Sequence, residues 1–214
     1  MSTLTKMVLG AMGALHPAPS HGNAARNIQL PPPEIAAGMG LMDALSKRRS
    51  SRDYSSEPLP LPLLSSLLWA ANGVNREDGG RTAPSALDAR EIDIVVALPD
   101  GAYRFKPSEH ALELLAAADL RRVTGYQDFV DEAPLDLVYI ADHARMKAVP
   151  VAQRTMYASV AAGAIAQNVY LFCAASGLST VLRAWISRDA VAHALGLAHD
   201  QEVLLSQTVG FGKS

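Results

Sequence analysis

Four cations, Lys47, Arg48, Arg49 and Arg52, fall within six positions of the stretch KRRSSRDYS, interleaved with Ser50 and Ser51. Guanidinium groups meet phosphate or carboxylate oxygens with paired, charge-assisted hydrogen bonds, and serine hydroxyls add donors. One reading is therefore an anion holder. The other is a helix end decorated with cations that suit its dipole, because the apolar run LMDAL stops just before the cluster. The chain as a whole is slightly acidic, with 19 Lys plus Arg against 21 Asp plus Glu, so the positive charge is local. A second stretch, GVNREDGGRTAPSALDAR (residues 73–90), is polar and glycine-containing and leads into an apolar strand. That is the setting of a loop that carries function on a rigid support, or of an ordinary surface loop.

Other chemistries lack their residues. GVNREDGG does not have the glycine spacing of a dinucleotide fingerprint, and no strand precedes it; no Walker pattern is present. The six histidines, His16, His21, His110, His143, His193 and His199, do not form metal-ligand pairs. The two in HALGLAH are six apart and leave one helical face. Neither ASG nor PSA is a nucleophile elbow. The single Cys173 excludes an internal disulfide framework and a multi-cysteine metal site.

These stretches need elements to hold them. A chain of 214 residues, 49 % hydrophobic, makes one domain with a sizeable core. Its near-balanced charge gives no reason to expect nucleic acid or an anionic membrane as partner. The pattern predicts a helix over residues 40–48. A clearer one follows in LPLPLLSSLLWAANG, with Pro62 in the first turn and Asn72-Gly73 as the stop. EIDIVVAL, AYRF, LDLVYIAD, LSTVLRA and EVLLSQTVGF read as strands, the first two joined by a tight PDG turn. SEHALELLAAADLRR (residues 108–122) reads as an amphipathic helix, and SRDAVAHALGL as a short one capped by Ser187. Residues 157–176 form a long helix ended by Gly177. The class is α+β, or three-layer α/β/α.

The long helix is apolar nearly all round and dense in alanine and glycine. Ser159, Gln167 and Asn168 argue against a membrane span. Either it is the central helix of one subunit, or a second subunit covers part of it. At the N-terminus, KMVLGAMGAL followed by HPAPSHGNAA has the region order of a secretory signal, though the apolar part is short and carries two glycines. The plainer reading is a mobile or partner-draped segment, with QLPPPE as an extended entry. Residues 1–38 are thus an extended or mobile segment, and 39–214 the domain. The location is cytoplasmic, or periplasmic or exported if the segment is a signal.

LMDALSKRRSSRDY, LSSLLWAANGVNREDGGRTAPSA, IAQNVYLFCAASGLSTVLRA and the terminal TVGFGK occur in the order and spacing of the nitroreductase-like flavoproteins. From residue 39 onward the chain resembles the short branch of that family, which is also similar to azoline-forming dehydrogenases. The resemblance implies a mainly antiparallel sheet flanked by helices, with the long helix at a dimer interface. It implies that flavin mononucleotide (FMN) is held by Arg48, Arg49 and Ser50 near the phosphate and ribityl chain. Arg52 would lie at the pyrimidine edge, where a positive charge suits the negative charge that builds around N1 and O2 on reduction. It further implies Pro84, Ser85 and Ala86 along the flavin from the partner subunit, the backbone around Val181, Leu182 and Arg183 near N5, and Lys213 at the phosphate. The family has an Asn and a Gln after the Pro-Ser-Ala turn; here Asp88 and Arg90 stand there. Asp88 beside such a flavin needs Arg90 or Arg52 as a counter-charge. The acidic residue often found early in the long helix is missing from SVAAGAIAQN.

The implied activity is ping-pong hydride transfer from NADPH or NADH through the flavin to a nitro compound, quinone or similar small acceptor. No separate catalytic side chain and no metal is expected, because the cofactor carries the chemistry. Two alternatives stand beside it: an FMN-dependent dehydrogenase of a peptide or azoline-type substrate, and a flavin-binding protein without turnover; in each case the resemblance implies a homodimer with shared flavin sites.

Overall fold

The computed structural model describes residues 1–36 and 38–213. In chain order it has α1 (Thr3–Ala11), β1 (Ala18–Pro19), β2 (Asn27–Gln29), α2 (Leu41–Lys47) and α3 (Leu61–Asn72). Then come β3 (Ile92–Ala97), β4 (Ala102–Lys106), β5 (Ala111–Ala116), β6 (Ala118–Asp119) and β7 (Leu135–Asp142). The chain ends with α4 (Val151–Ser176), β8 (Leu178–Arg183), α5 (Arg188–Leu195) and β9 (Gln201–Phe211). Seven strands form one sheet in the order β2-β5-β4-β3-β7-β9-β8, and every neighbouring pair is antiparallel.

The layers follow from the two-residue period of the central strands. Ile94 and Val96 of β3, with Leu137 and Tyr139 of β7, face a core built with α3 and α4. Val95, Ala97, Val138 and Ile140 face a second core that includes Leu15, Ile186 and Val191 beside α5. Helices thus cover both faces of the sheet, as the three-layer reading expected. α3 begins behind Pro60 and buries Leu64, Leu67, Leu68 and Ala71. Each buried leucine contributes about 1.5–3 kcal/mol. α4 ends where Gly177 takes φ 70°, its N–H returning to the Cys173 carbonyl.

Four expectations are corrected. Residues 108–122 are not a helix. The chain turns at residues 106–110, with His110 at φ 47°, and β5 returns alongside β4, Leu112 opposite Phe105 and Glu113 opposite Arg104. The Arg104–Glu113 ion pair at 2.8 Å and the burial of Leu112 outweigh the helix propensity of the Ala and Leu residues. α4 starts at Val151, six residues earlier than expected, directly behind Pro150. Ser187 sits at the N-cap of α5, but its side chain makes no capping bond. Finally, the N-terminal segment is not simply extended. α1 docks through Lys6, which is fully buried, with Nζ 2.7 Å from Asp131 Oδ1 and donating to the Gln127 carbonyl at 2.9 Å.

α4 is long and apolar enough to cross a membrane by length and composition. In this fold it packs against α2, α3 and β8. It is not buried all round: Met156 and Val160 are exposed, and a Cβ added at Gly163 would meet nothing within 4 Å.

Candidate functional site

The basic stretch leaves the end of α2 and runs along the outer edge of β8. Ser51 N donates to the Thr180 carbonyl at 2.9 Å, so this segment takes the place of a neighbouring strand. Tyr170 of α4 ties the corner. Its hydroxyl lies 2.9 Å from Ser50 Oγ and accepts from Leu182 N at 2.9 Å, while the Arg48 guanidinium stacks 5.3 Å from its ring centre. Tyr54 OH, deeply buried, donates to the Ser51 carbonyl at 2.7 Å and fixes the far end of the stretch. Burial pushes the Tyr54 phenol far above its usual range. Between the stretch and α4 lies a cleft of about 550 Å³ lined by Lys47, Arg48, Arg49, Ser51, Thr180 and Gly212, among others. Every charged side chain in that lining is a cation.

Of the residues expected at a flavin, Arg48 and Arg49 line this cleft, Arg49 and Ser50 are exposed, and Arg52 lies just beyond on the surface. β8 supplies its edge. Val181 is buried, and Leu182 turns its N–H outward to Tyr170. The Arg183 side chain points the other way, into the protein. It donates to Asp136 Oδ1 at 2.6 Å, Thr208 Oγ1 at 2.7 Å and the Thr124 carbonyl at 2.6 Å. Thr124 Oγ1 donates to Asp136 Oδ2 at 2.8 Å, and Thr208 also donates to this carboxylate. Arg183 is thus an anchor for the edge strand; the residues of β8 that line the cleft are Leu178, Ser179 and Thr180. Lys213 is exposed and pairs with Glu132 at 3.1 Å; its neighbour Gly212 lines the cleft, and Lys213 itself is not in the lining.

The second stretch forms a separate cleft of about 740 Å³, lined in part by Pro84, Ser85, Asp88, Arg90, Glu91 and Ile165. Ser85 Oγ donates to Glu91 Oε2 at 2.6 Å and accepts from Arg90 N at 2.7 Å. Leu87, Asp88 and Arg90 all take positive φ, near 50°, without being glycine. Such backbone persists where its surroundings over-determine it, often at ligand sites. Asp88 has the counter-charge its position called for: Arg90 donates to both its oxygens at 2.9 and 2.7 Å. These bonds hold the Asp88 carboxyl below the usual range. Within one chain, then, Arg48, Arg49 and Ser51 line one cleft along α4, and Pro84, Ser85 and Asp88 another.

Sequence reasoning passed over Tyr170, Tyr54 and Glu91. Tyr170 lies inside the helical motif IAQNVYLF, where its ring reads as core, and the motif carries no signal that its hydroxyl meets Ser50 and Leu182. Glu91 is fully buried with Oε1 unpartnered among the described residues, although it reads as the polar lip of a strand.

The nitroreductase family model matches residues 45–211. A "putative nitroreductase" of Methanocaldococcus jannaschii is 36 % identical over 164 residues, 72 % of this chain and 81 % of the relative. A crystal structure of a "putative nitroreductase" from Ralstonia eutropha JMP134 superposes with a TM-score of 0.89 at 51 % identity, covering 94 % of this chain and 96 % of that one. The NADPH:FMN oxidoreductase of Vibrio harveyi in complex with NAD+ shares the fold, with a TM-score of 0.61 at 21 % identity over 81 % of this chain and 69 % of its own. With the family match spanning six of the seven strands and the stretches that form both clefts, this chain belongs to the nitroreductase family and is an oxidoreductase.

Proposed function

We propose that the protein is an FMN-dependent NAD(P)H oxidoreductase acting on a nitro compound, quinone or similar small acceptor. One observation carries the reading: the 550 Å³ cleft whose charged lining is wholly cationic, set beside the outer edge of β8. The donor set fits a phosphate monoester, which carries nearly two negative charges at neutral pH. Arg48, Arg49 and Ser50 hold the phosphate and ribityl chain, and Lys213 joins them by leaving Glu132, an exchange between exposed groups that costs little. Arg52 serves the pyrimidine edge, and the Val181–Arg183 backbone lies along the ring. When bound, the flavin supplies hydride transfer at N5, from NADPH or NADH in one half-reaction and to the acceptor in the other. The nicotinamide reading draws support from the fold shared with the Vibrio harveyi enzyme. The docked α1 favours an N-terminal segment kept in the working protein, and so a cytoplasmic location over an exported one.

The purified protein reconstituted with FMN is expected to show flavin absorbance that NADPH or NADH bleaches and a quinone restores. Absent flavin bands would overturn the reading. Bound flavin that neither nicotinamide bleaches would instead favour the peptide dehydrogenase or the inert binder.

The working unit is a homodimer with two shared sites. Pro84 and Ser85, with Ala86 next in the chain, line a different cleft of the same chain from Arg48 and Arg49, so a site using both draws them from two copies. The apolar surface that would join the copies is present. Met156 and Val160 on α4 and Leu41, Met42 and Leu45 on α2 are exposed. An obligate interface of about 2,000–5,000 Å² is expected. Light scattering on dilute flavin-loaded protein tests it, and a stable holo-monomer would refute it.

A further inference from the structure

We propose that Arg81 is the centre of an oxyanion site, distinct from the cleft at residues 47–51, that takes the carboxylate or phosphate group of a small organic ligand. Arg81 stands in the wall between the 740 Å³ cleft and a smaller one of about 270 Å³, and it lines both. Its side chain is half-buried. Nη1 donates a long bond of 3.3 Å to the Asn72 carbonyl, and Nε is buried without a partner. No carboxylate lies within 4.0 Å among the described residues.

The surrounding cations are already engaged. Arg90 is bonded to Asp88, Arg145 to Asp93 and Asp142, and Arg104 to Glu113. The carboxylates paired with those cations are therefore committed; Glu91, which lines the larger cleft with Oε1 unpartnered among the described residues, lies beyond 4.0 Å of Arg81, so Arg81 keeps unused donors. Five cationic side chains and two carboxylates line the smaller cleft, but Arg90, Arg104, Lys106 and Arg145 are paired with carboxylates, so the sign of what it accepts rests on Arg81. Burial, then the neighbouring Arg90, holds the Arg81 guanidinium below its usual range. Arginine does not shed its proton in proteins. A half-desolvated guanidinium with unused donors in a fixed fork is instead satisfied by a ligand oxyanion, which accepts from two of its nitrogens. The larger cleft beside it, whose Pro84 and Ser85 the proposed dimer sets against the partner's flavin, would hold the aromatic or heterocyclic body of that ligand next to the ring.

Together with the proposed function, the site makes the preferred acceptor an anionic one. That step rests on the flavin reading; the binding itself does not. The test is calorimetric titration of the purified full chain with benzoate, phenyl phosphate and the neutral benzamide, which needs no turnover. At least one anion is expected to bind about tenfold or more tightly than benzamide. Whichever anion is favoured identifies the group as carboxylate or phosphate. The preference is expected to shrink to about twofold or less in Arg81→Gln and to be intermediate in Arg81→Lys, which keeps the charge and loses the fork. Two results overturn the proposal: neither anion outbinds benzamide in the wild type, or the preference survives in Arg81→Gln. The wild-type comparison decides even if the glutamine variant folds poorly. A protein that passes this test yet binds no flavin would sink the oxidoreductase mechanism and leave the anion site standing.

Discussion

Asp136→Ala is expected to destabilise the fold by about 3–5 kcal/mol, because it strands a buried charge. Asp136 is fully buried on β7, and its carboxylate accepts from Arg183, Thr124 and Thr208 at once. Arg183 is itself almost completely buried, and its Nε already lacks a partner among the described residues. Removing the carboxylate leaves a guanidinium with neither water nor counter-ion, and two hydroxyls lose their acceptor. For a chain of this size the midpoint of thermal unfolding should fall by roughly 6–20 °C. Replacing both members, Asp136→Leu with Arg183→Leu, should recover part of the loss, since the pair's own net worth is small compared with the cost of breaking it. Guanidinium unfolding of the wild type and the two variants measures this. A loss below about 1 kcal/mol for Asp136→Ala would mean that water reaches Arg183 and that the network is not closed.

Arg48→Ala should raise the FMN dissociation constant by about ten- to hundredfold, by removing one charge-assisted bond to phosphate. The prediction rests on the proposed flavin site. Arg48 is half-buried, its guanidinium lying over Tyr170. The apoprotein should therefore lose about 0.5–1 kcal/mol from that stacking. The holoprotein should lose more, since a weaker ligand stabilises less by mass action. Riboflavin lacks the phosphate and should bind wild type and variant alike. Titrating both proteins with both ligands separates the two roles of Arg48. Equal losses for FMN and riboflavin would show that the stretch is a cation-decorated helix end and nothing more.

The parts of this fold that could be read from the chain are those where local preference and burial agree. β3 and β7 alternate their apolar residues between two cores, and α3 carries proline at its start and Asn-Gly at its end, so both were legible. Residues 111–116 were not, because ALELLA satisfies a helical stripe and a strand alternation equally well. The decision came from β4, whose Arg104 and Phe105 reward pairing. The basic stretch announced itself by composition. What it sits against, the edge of β8 and the hydroxyl of Tyr170, depends on contacts more than a hundred residues away in the chain. The same holds for the division of the expected flavin residues between two clefts. The order of motifs carries no information about which of them meet within one copy.

A seven-stranded antiparallel sheet has two lateral borders, and an uncovered border is a template on which another chain can add a strand. Here both are closed by different means. β2 is only three residues long and runs into Pro31, Pro32 and Pro33, which donate no backbone hydrogen bonds. β8 is longer, and it is shielded by Ser51 on Thr180 and by the Tyr170 hydroxyl on Leu182. The segment that gathers the cations is therefore also the guard of the sheet. Substitutions that free residues 48–51 from β8 would uncover outward-facing amide and carbonyl groups of that strand, and their first visible symptom would be self-association into aggregates.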